Sequence, residues 1–276
     1  MRKEAEPTAA RFGELGGLES LVAGVRLALI FLWLLICLPV YLPAMLLSEH
    51  AQTVCNRAFW KGVLRLANIR VRVHGRIAAT RPLLVVSNHI SYLDIPVLGS
   101  LIPGVFVAKA DVAGWPGLGV LAKLGRTVFV ERKRAEAARQ KVELTARLAH
   151  GTPLILFPEG TSSDGNRVLP FKSTLFSIAE EYIEGQPVVV QPVAVAYTHC
   201  FGVPIGYLWR HFFAWYGDMD LAPHLWSVLR MGRLTVEVNF LEPRLLSALG
   251  SRKNAAAVCH EAVKDALGRA HTGHRA

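Results

Sequence analysis

Residues 83–94 read LLVVSNHISYLD, an apolar run that ends in an asparagine and a histidine, with an aspartate five positions after the histidine. The apolar run predicts a buried strand whose carboxyl end carries polar side chains, where ligands gather in open α/β sheets. From the start of the next helix, the Asp94 carboxylate can bond to the His89 ring and favour its protonated form. The pattern therefore predicts a general base, His89, oriented by Asp94. The alternative is that Asn88, Ser91 or Asp94 only caps the helix.

A second segment repeats this arrangement about seventy residues later. Residues 154–163 read LILFPEGTSS, again an apolar run followed by a carboxylate, a glycine and hydroxyls. Gly160 allows close approach of a ligand to the backbone, and Glu159 and Thr161 can bond to a polyol hydroxyl. Residues 169–172 then bring Lys172 near the same place. The alternative interpretation is a tight turn rich in turn-forming residues.

Around these two segments, short apolar or β-branched runs alternate with helical patterns. The predicted strands are 69–74, 83–87, 105–108, 127–130, 154–157, 188–197 and 234–240, and the predicted helices are 95–101, 115–124, 135–150, 173–182, 223–230 and 254–270. Alternation of this kind predicts an α/β fold with a largely parallel sheet flanked by helices. The last two strands are candidates for antiparallel pairing.

The N-terminal region carries much of the apolar composition. Residues 27–47 contain no charged residue, a length close to that needed to cross a bilayer. Pro39 and Pro43 could kink a spanning helix or turn it back as a re-entrant hairpin. Residues 56–68 predict an amphipathic helix with a basic face, which either lies among lipid headgroups or packs on the domain surface.

This pattern divides the chain into three parts. We predict a loose N-terminal tail at residues 1–18, a membrane-associating helical segment with an interfacial helix at residues 19–68, and a catalytic domain at residues 69–276.

The net charge of +10 on 276 residues indicates an anionic partner. The uncharged stretch favours a membrane surface, and no zinc-finger spacing or other nucleic-acid signature is present, so we expect no nucleic-acid partner. The four cysteines and ten histidines show no metal-binding spacing, so the sequence predicts no metal site.

Four ordered blocks then carry a specific resemblance. They are NHISYLD at 88–94, GRTVFVER at 125–132, FPEGT at 157–161 and VQPVA at 190–194. In this order they resemble the glycerolipid acyltransferase family, which contains bacterial 1-acylglycerol-3-phosphate acyltransferases. The resemblance implies a general base, its orienting carboxylate and a set of substrate contacts. These residues are His89 and Asp94 for catalysis, and Asn88, Arg132, Glu159, Gly160, Thr161 and Lys172 for substrate binding.

The implied reaction is transfer of an acyl group from acyl carrier protein or coenzyme A to the free hydroxyl of a lysolipid, without a cofactor. The implied location is the inner membrane, with the catalytic domain facing the cytosol. The first-choice acceptor is 1-acylglycerol-3-phosphate. Because Ser162 stands where many family members have arginine, lyso-ornithine lipid is the alternative acceptor.

Two other classes of function, a non-catalytic membrane-surface protein and an α/β hydrolase, fit the sequence less well. A non-catalytic membrane-surface protein would explain the apolar segment and the charge, although not the histidine–aspartate pair facing a glycine turn. No G-x-S-x-G elbow is present for an α/β hydrolase.

Overall fold

A computed structural model describes residues 16–115, 117–130 and 134–273. The helices are α1 Gly17–Leu47, α2 Glu49–Leu66, α3 Asp94–Leu101, α4 Leu118–Leu124, α5 Arg134–Ala149, α6 Leu221–Arg230, α7 Leu246–Leu249 and α8 Arg252–Thr272. The strands are β1 Ile69–His74, β2 Leu83–Ser87, β3 Val105–Lys109, β4 Val128–Val130, β5 Leu154–Leu156, β6 Tyr182–Ile183, β7 Gln186–Pro187, β8 Val189–Cys200, β9 Val203–Pro204, β10 Leu234–Phe240 and β11 Arg244–Leu245. Within the described residues, 3-10 helices lie at Ala110–Gly114, Ser173–Glu180 and Tyr207–Phe212.

The main sheet has the strand order β1-β10-β8-β2-β5-β3-β4, with β9 and β11 also paired to β8. Neighbouring strands run parallel from β8 to β4 and between β1 and β10, whereas β10 runs antiparallel to β8. The predicted fold class and the predicted antiparallel pair are therefore confirmed. β2 lies between β8 and β5 with all of its residues buried, which explains its uninterrupted apolar sequence.

Helices cover both faces of this sheet. Alternate residues of β2 enter separate cores, Leu83 and Val85 in one and Leu84 and Val86 in the other. The first core is closed by α1, α2, α3 and α6, and the second by α5, α8 and the 3-10 helix at Ser173–Glu180. With both faces covered, the polar residues that follow β2 and β5 are left at one edge of the sheet.

The N-terminal segment forms a pair of helices that packs on the domain. α1 runs unbroken through Pro39 and Pro43, so the chain turns at Ser48, whose side chain caps α2 by accepting from the Ala51 N–H at 3.1 Å. By length and composition, α1 is a helix that could cross a membrane. α2 begins earlier than predicted, and its Trp60 lies against Gly99 of α3. This contact agrees with the alternative of a helix packed on the domain.

One predicted helix is wrong in type. In place of the α-helix predicted at 173–182, Ser173–Glu180 form a 3-10 helix, and the chain continues into the β6–β7 hairpin. Gly185, with φ of +79°, makes the turn of that hairpin, and Pro187 follows it. These two residues are poor helix formers, which explains why the chain turns into a hairpin after the 3-10 helix.

Candidate active site

His89 and Asp94 come together at the carboxyl end of β2. The Nδ1 atom of His89 lies 2.8 Å from Asp94 Oδ2. The same oxygen accepts from the backbone N–H groups of Ile90 at 2.7 Å and Ser91 at 3.0 Å. The other oxygen accepts from the Tyr197 hydroxyl at 2.7 Å. Asp94 is fully buried, so these contacts replace the water that its charge would otherwise need.

This set of bonds decides which ring nitrogen of His89 can act as a base. An ionised carboxylate only accepts hydrogen bonds, so the proton on neutral His89 belongs on Nδ1 and Nε2 carries the lone pair. The His89 side chain is 23% exposed, and Nε2 has no bonding partner among the described residues. A hydroxyl that reached Nε2 could therefore give up its proton, and Asp94 would stabilise the resulting imidazolium.

The second segment binds directly to His89. The His89 backbone N–H donates to Glu159 Oε1 at 2.7 Å, and the Ser163 N–H donates to the His89 carbonyl at 2.8 Å. The Phe157 ring stacks on the imidazole, with ring centroids 4.1 Å apart and planes 15° apart. The turn at 157–163 thus holds His89 by its backbone and by one face of its ring.

Glu159 has a different place from the one predicted. It is buried, and its two oxygens accept from the backbone N–H groups of His89 and, at 2.8 Å, Leu169. Burial raises the pKa of its carboxyl to about 8, against the lowering effect of these two bonds. Glu159 therefore ties the turn together, and it presents no free oxygen to an acceptor hydroxyl.

Asn88 also differs from its predicted role as a substrate contact. Its amide is fully buried and pairs twice with Val195 of β8, donating to the carbonyl at 2.9 Å and accepting from the N–H at 2.8 Å. With both ends of the amide occupied, Asn88 extends the pairing of β2 with β8. It fixes the point at which the chain leaves the sheet towards His89.

Three of the predicted contacts lie on the outer side of the turn. Gly160 has φ of +70°, a conformation that favours glycine, and its N–H donates to the Phe157 carbonyl at 3.0 Å. The Lys172 ammonium lies over Gly160, 2.7 Å from where a Cβ would stand, and Thr161 is exposed beside it. Thr161 and Lys172 are thus exposed, whereas the Gly160 N–H is already bonded. Arg132 lies outside the described residues.

Comparison with known proteins gives the family. The Acyltransferase family model matches residues 69–196, which include both segments of the site. A lyso-ornithine lipid O-acyltransferase of Brucella abortus is 44% identical over 219 residues, covering 78% of this chain and 82% of that protein. The chain belongs to the acyltransferase family.

Further relatives differ in the acceptor that their names give. A lyso-ornithine lipid O-acyltransferase of Rhizobium meliloti is 40% identical to this acyltransferase over 237 residues, covering 84% of this chain and 81% of that protein. A 1-acyl-sn-glycerol-3-phosphate acyltransferase of Neisseria gonorrhoeae is 34% identical over 191 residues, covering 67% of this chain and 69% of that protein.

A solved structure shares the fold. The crystal structure of PlsC, the 1-acyl-sn-glycerophosphate acyltransferase from Thermotoga maritima, matches with a TM-score of 0.62 at 22% identity. The match covers 92% of this acyltransferase and 99% of that chain. The resemblance deduced from the four sequence blocks is therefore confirmed at the level of family and fold.

Two residues that lie near the site of this acyltransferase were not predicted as site residues. Tyr197 was assigned to a buried strand, and the signal that could have found it is a tyrosine hydroxyl in an apolar run, since such a group needs a partner. Trp215 donates its backbone N–H to the Ile90 carbonyl at 3.0 Å, and the Ser162 hydroxyl donates to the Trp215 carbonyl. Its indole packs edge-on against Tyr92 and Trp115, with centroids 5.9 and 5.5 Å apart.

The raised pKa of Glu159 predicts that the acyltransferase loses stability as pH rises from about 4.5 to about 8. Between the ordinary value of 4.5 and the folded value of about 8, the folded state holds a proton on Glu159 that the unfolded state has released. The free energy of unfolding should therefore fall with rising pH, by at most about 1.4 kcal/mol per pH unit from this group. Urea denaturation at pH 5, 6.5 and 8 measures the slope.

The matched variant for this measurement is Glu159→Gln, which keeps the shape of the side chain and cannot titrate. Other groups titrate equally in both proteins, so the difference between the two slopes isolates Glu159. The same pH slope in both proteins would contradict the raised pKa.

Proposed function

We propose that this acyltransferase transfers a fatty acyl group from an acyl thioester to the free hydroxyl of a lysolipid, with lyso-ornithine lipid as its acceptor. The observation that carries the proposal is the partly exposed imidazole of His89, bonded through Nδ1 to the buried Asp94 carboxylate. The thioester donor is acyl carrier protein or coenzyme A carrying the acyl chain.

The reaction needs one base and no covalent enzyme intermediate. The acceptor hydroxyl gives its proton to Nε2 of His89 as its oxygen attacks the thioester carbonyl carbon. The tetrahedral oxyanion then collapses, the carbon–sulfur bond breaks, and the leaving sulfur takes the proton back from the imidazolium. Asp94 stabilises that imidazolium while it exists. The products are an ester and a free thiol.

The charges of the described residues near the turn suit an acceptor with one carboxylate. Ser162 is uncharged, and its hydroxyl bonds to the Trp215 carbonyl. The Nε atom of Arg167 lies 3.8 Å from Asp164 Oδ2, and Arg126 forms an ion pair with Glu49 on α2. Among the described residues, the Lys172 ammonium is the cation that lies over the turn. A flexible ammonium suits the carboxylate of an ornithine headgroup.

The names of the similar proteins support the same choice. The two relatives at 44% and 40% identity are named for lyso-ornithine lipid, and the relative at 34% is named for the glycerol phosphate acceptor. We therefore rank lyso-ornithine lipid above 1-acylglycerol-3-phosphate, the reverse of the order that the sequence motifs suggested.

The proposed place of action is the cytosolic surface of the inner membrane. α1 is held to the domain at both ends, by Arg26 bonding to the Leu229 carbonyl at 2.8 Å and by Tyr41 bonding to the Leu124 carbonyl. Its opposite side exposes a row of large apolar side chains from Leu18 to Leu47. A helix packed on one side and apolar on the other fits a bilayer surface into which the domain is partly sunk.

A direct test presents the purified protein with a labelled acyl donor and equal amounts of lyso-ornithine lipid or lysophosphatidate. We expect at least a tenfold faster formation of labelled ornithine lipid than of phosphatidate, about 1.4 kcal/mol of discrimination. Product chromatography separates the two lipids.

Two results would contradict the proposal. An equal or faster rate with lysophosphatidate would assign the glycerol phosphate acceptor. An absence of acyl incorporation into any lysolipid would favour a non-catalytic membrane-surface protein.

A further inference from the structure

The segment that connects β8 to β10 exposes an unusual density of large apolar side chains. Within residues 201–209, five such side chains are each more than half exposed, and we call them the insertion patch: Phe201, Val203, Tyr207, Leu208 and Trp209. Single exposed apolar residues are common on soluble proteins, but a cluster of this kind marks an interaction surface.

The backbone brings these residues together. β9 folds back onto the end of β8, pairing Cys200 with Val203, so that Phe201 stands at the tip of a tight hairpin with φ of +54°. The Ile205 N–H donates to the Thr198 carbonyl at 2.8 Å, and the 3-10 helix Tyr207–Phe212 starts two residues later. The insertion patch is therefore one compact feature and not an extended loop.

The patch continues into the apolar side of α1. The Phe201 ring lies over Gly232, and the Phe201 N–H donates to the Arg233 carbonyl at 2.9 Å. One residue before Gly232, the Met231 carbonyl accepts from Arg26 of α1 at 2.6 Å. On the neighbouring turn of α6, the partly exposed Trp226 lies against Gly24 of α1. Residues 226–233 thus join the patch to the N-terminal half of α1.

The chemistry of the patch fits a lipid surface. Tyrosine and tryptophan prefer the boundary between headgroups and acyl chains, because each combines an apolar ring with a polar group. Arg233 is exposed beside Phe201, and the chain has a net charge of +10, which suits anionic headgroups.

We propose that the insertion patch is a second membrane-contact surface, separate in sequence from α1, which inserts at the headgroup boundary of a bilayer containing anionic phospholipid. The same segment reaches the active site, where Trp215 bonds to the Ile90 carbonyl next to His89. Contact at both α1 and the patch fixes the tilt of the domain on the bilayer. On the proposed function, this tilt would set how His89 faces the plane in which a lysolipid lies.

The test measures how strongly the full-length protein partitions into vesicles of phosphatidylglycerol and phosphatidylethanolamine. Tryptophan fluorescence follows the bound fraction as lipid is added. In the variant Phe201→Ser/Val203→Ser/Leu208→Ser, we expect the partition coefficient to fall at least tenfold. The reason is that three large apolar side chains no longer move from water into the membrane. The thermal unfolding midpoint of the variant checks that it is folded.

The matched control is Val142→Ser/Tyr182→Ser, which removes two equally exposed apolar side chains from α5 and β6. Both lie by the other core of the sheet, away from α1. We expect its partition coefficient to stay within twofold of that of the unmodified protein.

A partition coefficient of the triple variant within twofold of that of the unmodified protein would overturn the proposal. If that variant also loses a dimer that the unmodified protein forms in detergent, the patch is assigned to a second copy of the chain.

Discussion

Replacing His89 with alanine is expected to lower the rate of acyl transfer by roughly two to four orders of magnitude, the usual contribution of a positioned general base. The imidazole bonds to Asp94 at 2.8 Å and stacks on Phe157. The backbone bonds of His89 to Glu159 and Ser163 do not need its side chain, so the turn should stay in place. Loss of this hydrogen bond to a buried carboxylate should cost about 1.5–3 kcal/mol of unfolding free energy, while Ile90, Ser91 and Tyr197 still donate to Asp94. Thiol release from the acyl donor measures the rate.

His150→Ala is the control for this prediction. His150 is exposed at the end of α5, where its Nδ1 lies 2.8 Å from the Ala146 carbonyl, and it has no contact with the site. We expect unchanged activity in this control. A folded His89→Ala protein with near-normal acyl transfer would show that another group is the base.

Replacing Asp94 with asparagine is expected to cost both activity and stability. The buried carboxylate accepts at Oδ2 from His89, Ile90 and Ser91, and an amide cannot accept at both of its ends. The Ile90 and Ser91 N–H groups only donate, so the amide oxygen takes the place of Oδ2, and the amide NH2 group faces the Tyr197 hydroxyl, which can turn to accept. Neutral hydrogen bonds then replace charge-assisted ones, at a cost of about 1–3 kcal/mol in unfolding free energy. The imidazolium formed in the reaction would also lose the negative charge that stabilises it, so acyl transfer should fall by roughly two orders of magnitude. Urea denaturation and initial rates measure the two effects.

Tyr197→Phe separates stability from orientation in this prediction. It removes one bond to Asp94 Oδ1 and leaves the contacts at Oδ2 in place. We expect a loss of about 1–3 kcal/mol in unfolding free energy, because Oδ1 of the buried carboxylate loses its donor, with acyl transfer reduced much less than in Asp94→Asn. Equal losses of rate in the two variants would mean that Asp94 acts through stability alone.

The sheet could be predicted from sequence because its strands have clear chemical boundaries. β1, β2 and β10 have the predicted bounds, since each apolar run ends at polar or turn-forming residues. The start of α2 was missed, because residues 49–55 mix polar and small side chains without an apolar stripe. The N-cap of Ser48 and contacts with α1 decide that boundary, and neither is visible in local periodicity.

The position of the site could be predicted from sequence, but the roles of its individual residues could not. Spacing alone indicated that His89 and the turn at 157–163 would lie together, because both follow parallel strands. Spacing could not show that Asn88 and Glu159 bind backbone groups instead of pointing outwards, since that depends on Val195 and Leu169. The bond from Tyr197 to Asp94 joins residues 103 positions apart and depends on the pairing of β2 with β8.

The most direct measurement of the central claim is a crystal structure of the protein with lyso-ornithine lipid bound. The account predicts that the free hydroxyl oxygen lies within about 3.2 Å of His89 Nε2, while Nδ1 keeps its bond to Asp94. A lipid bound with its hydroxyl away from the imidazole, on the far side of the 157–163 turn, would contradict the account.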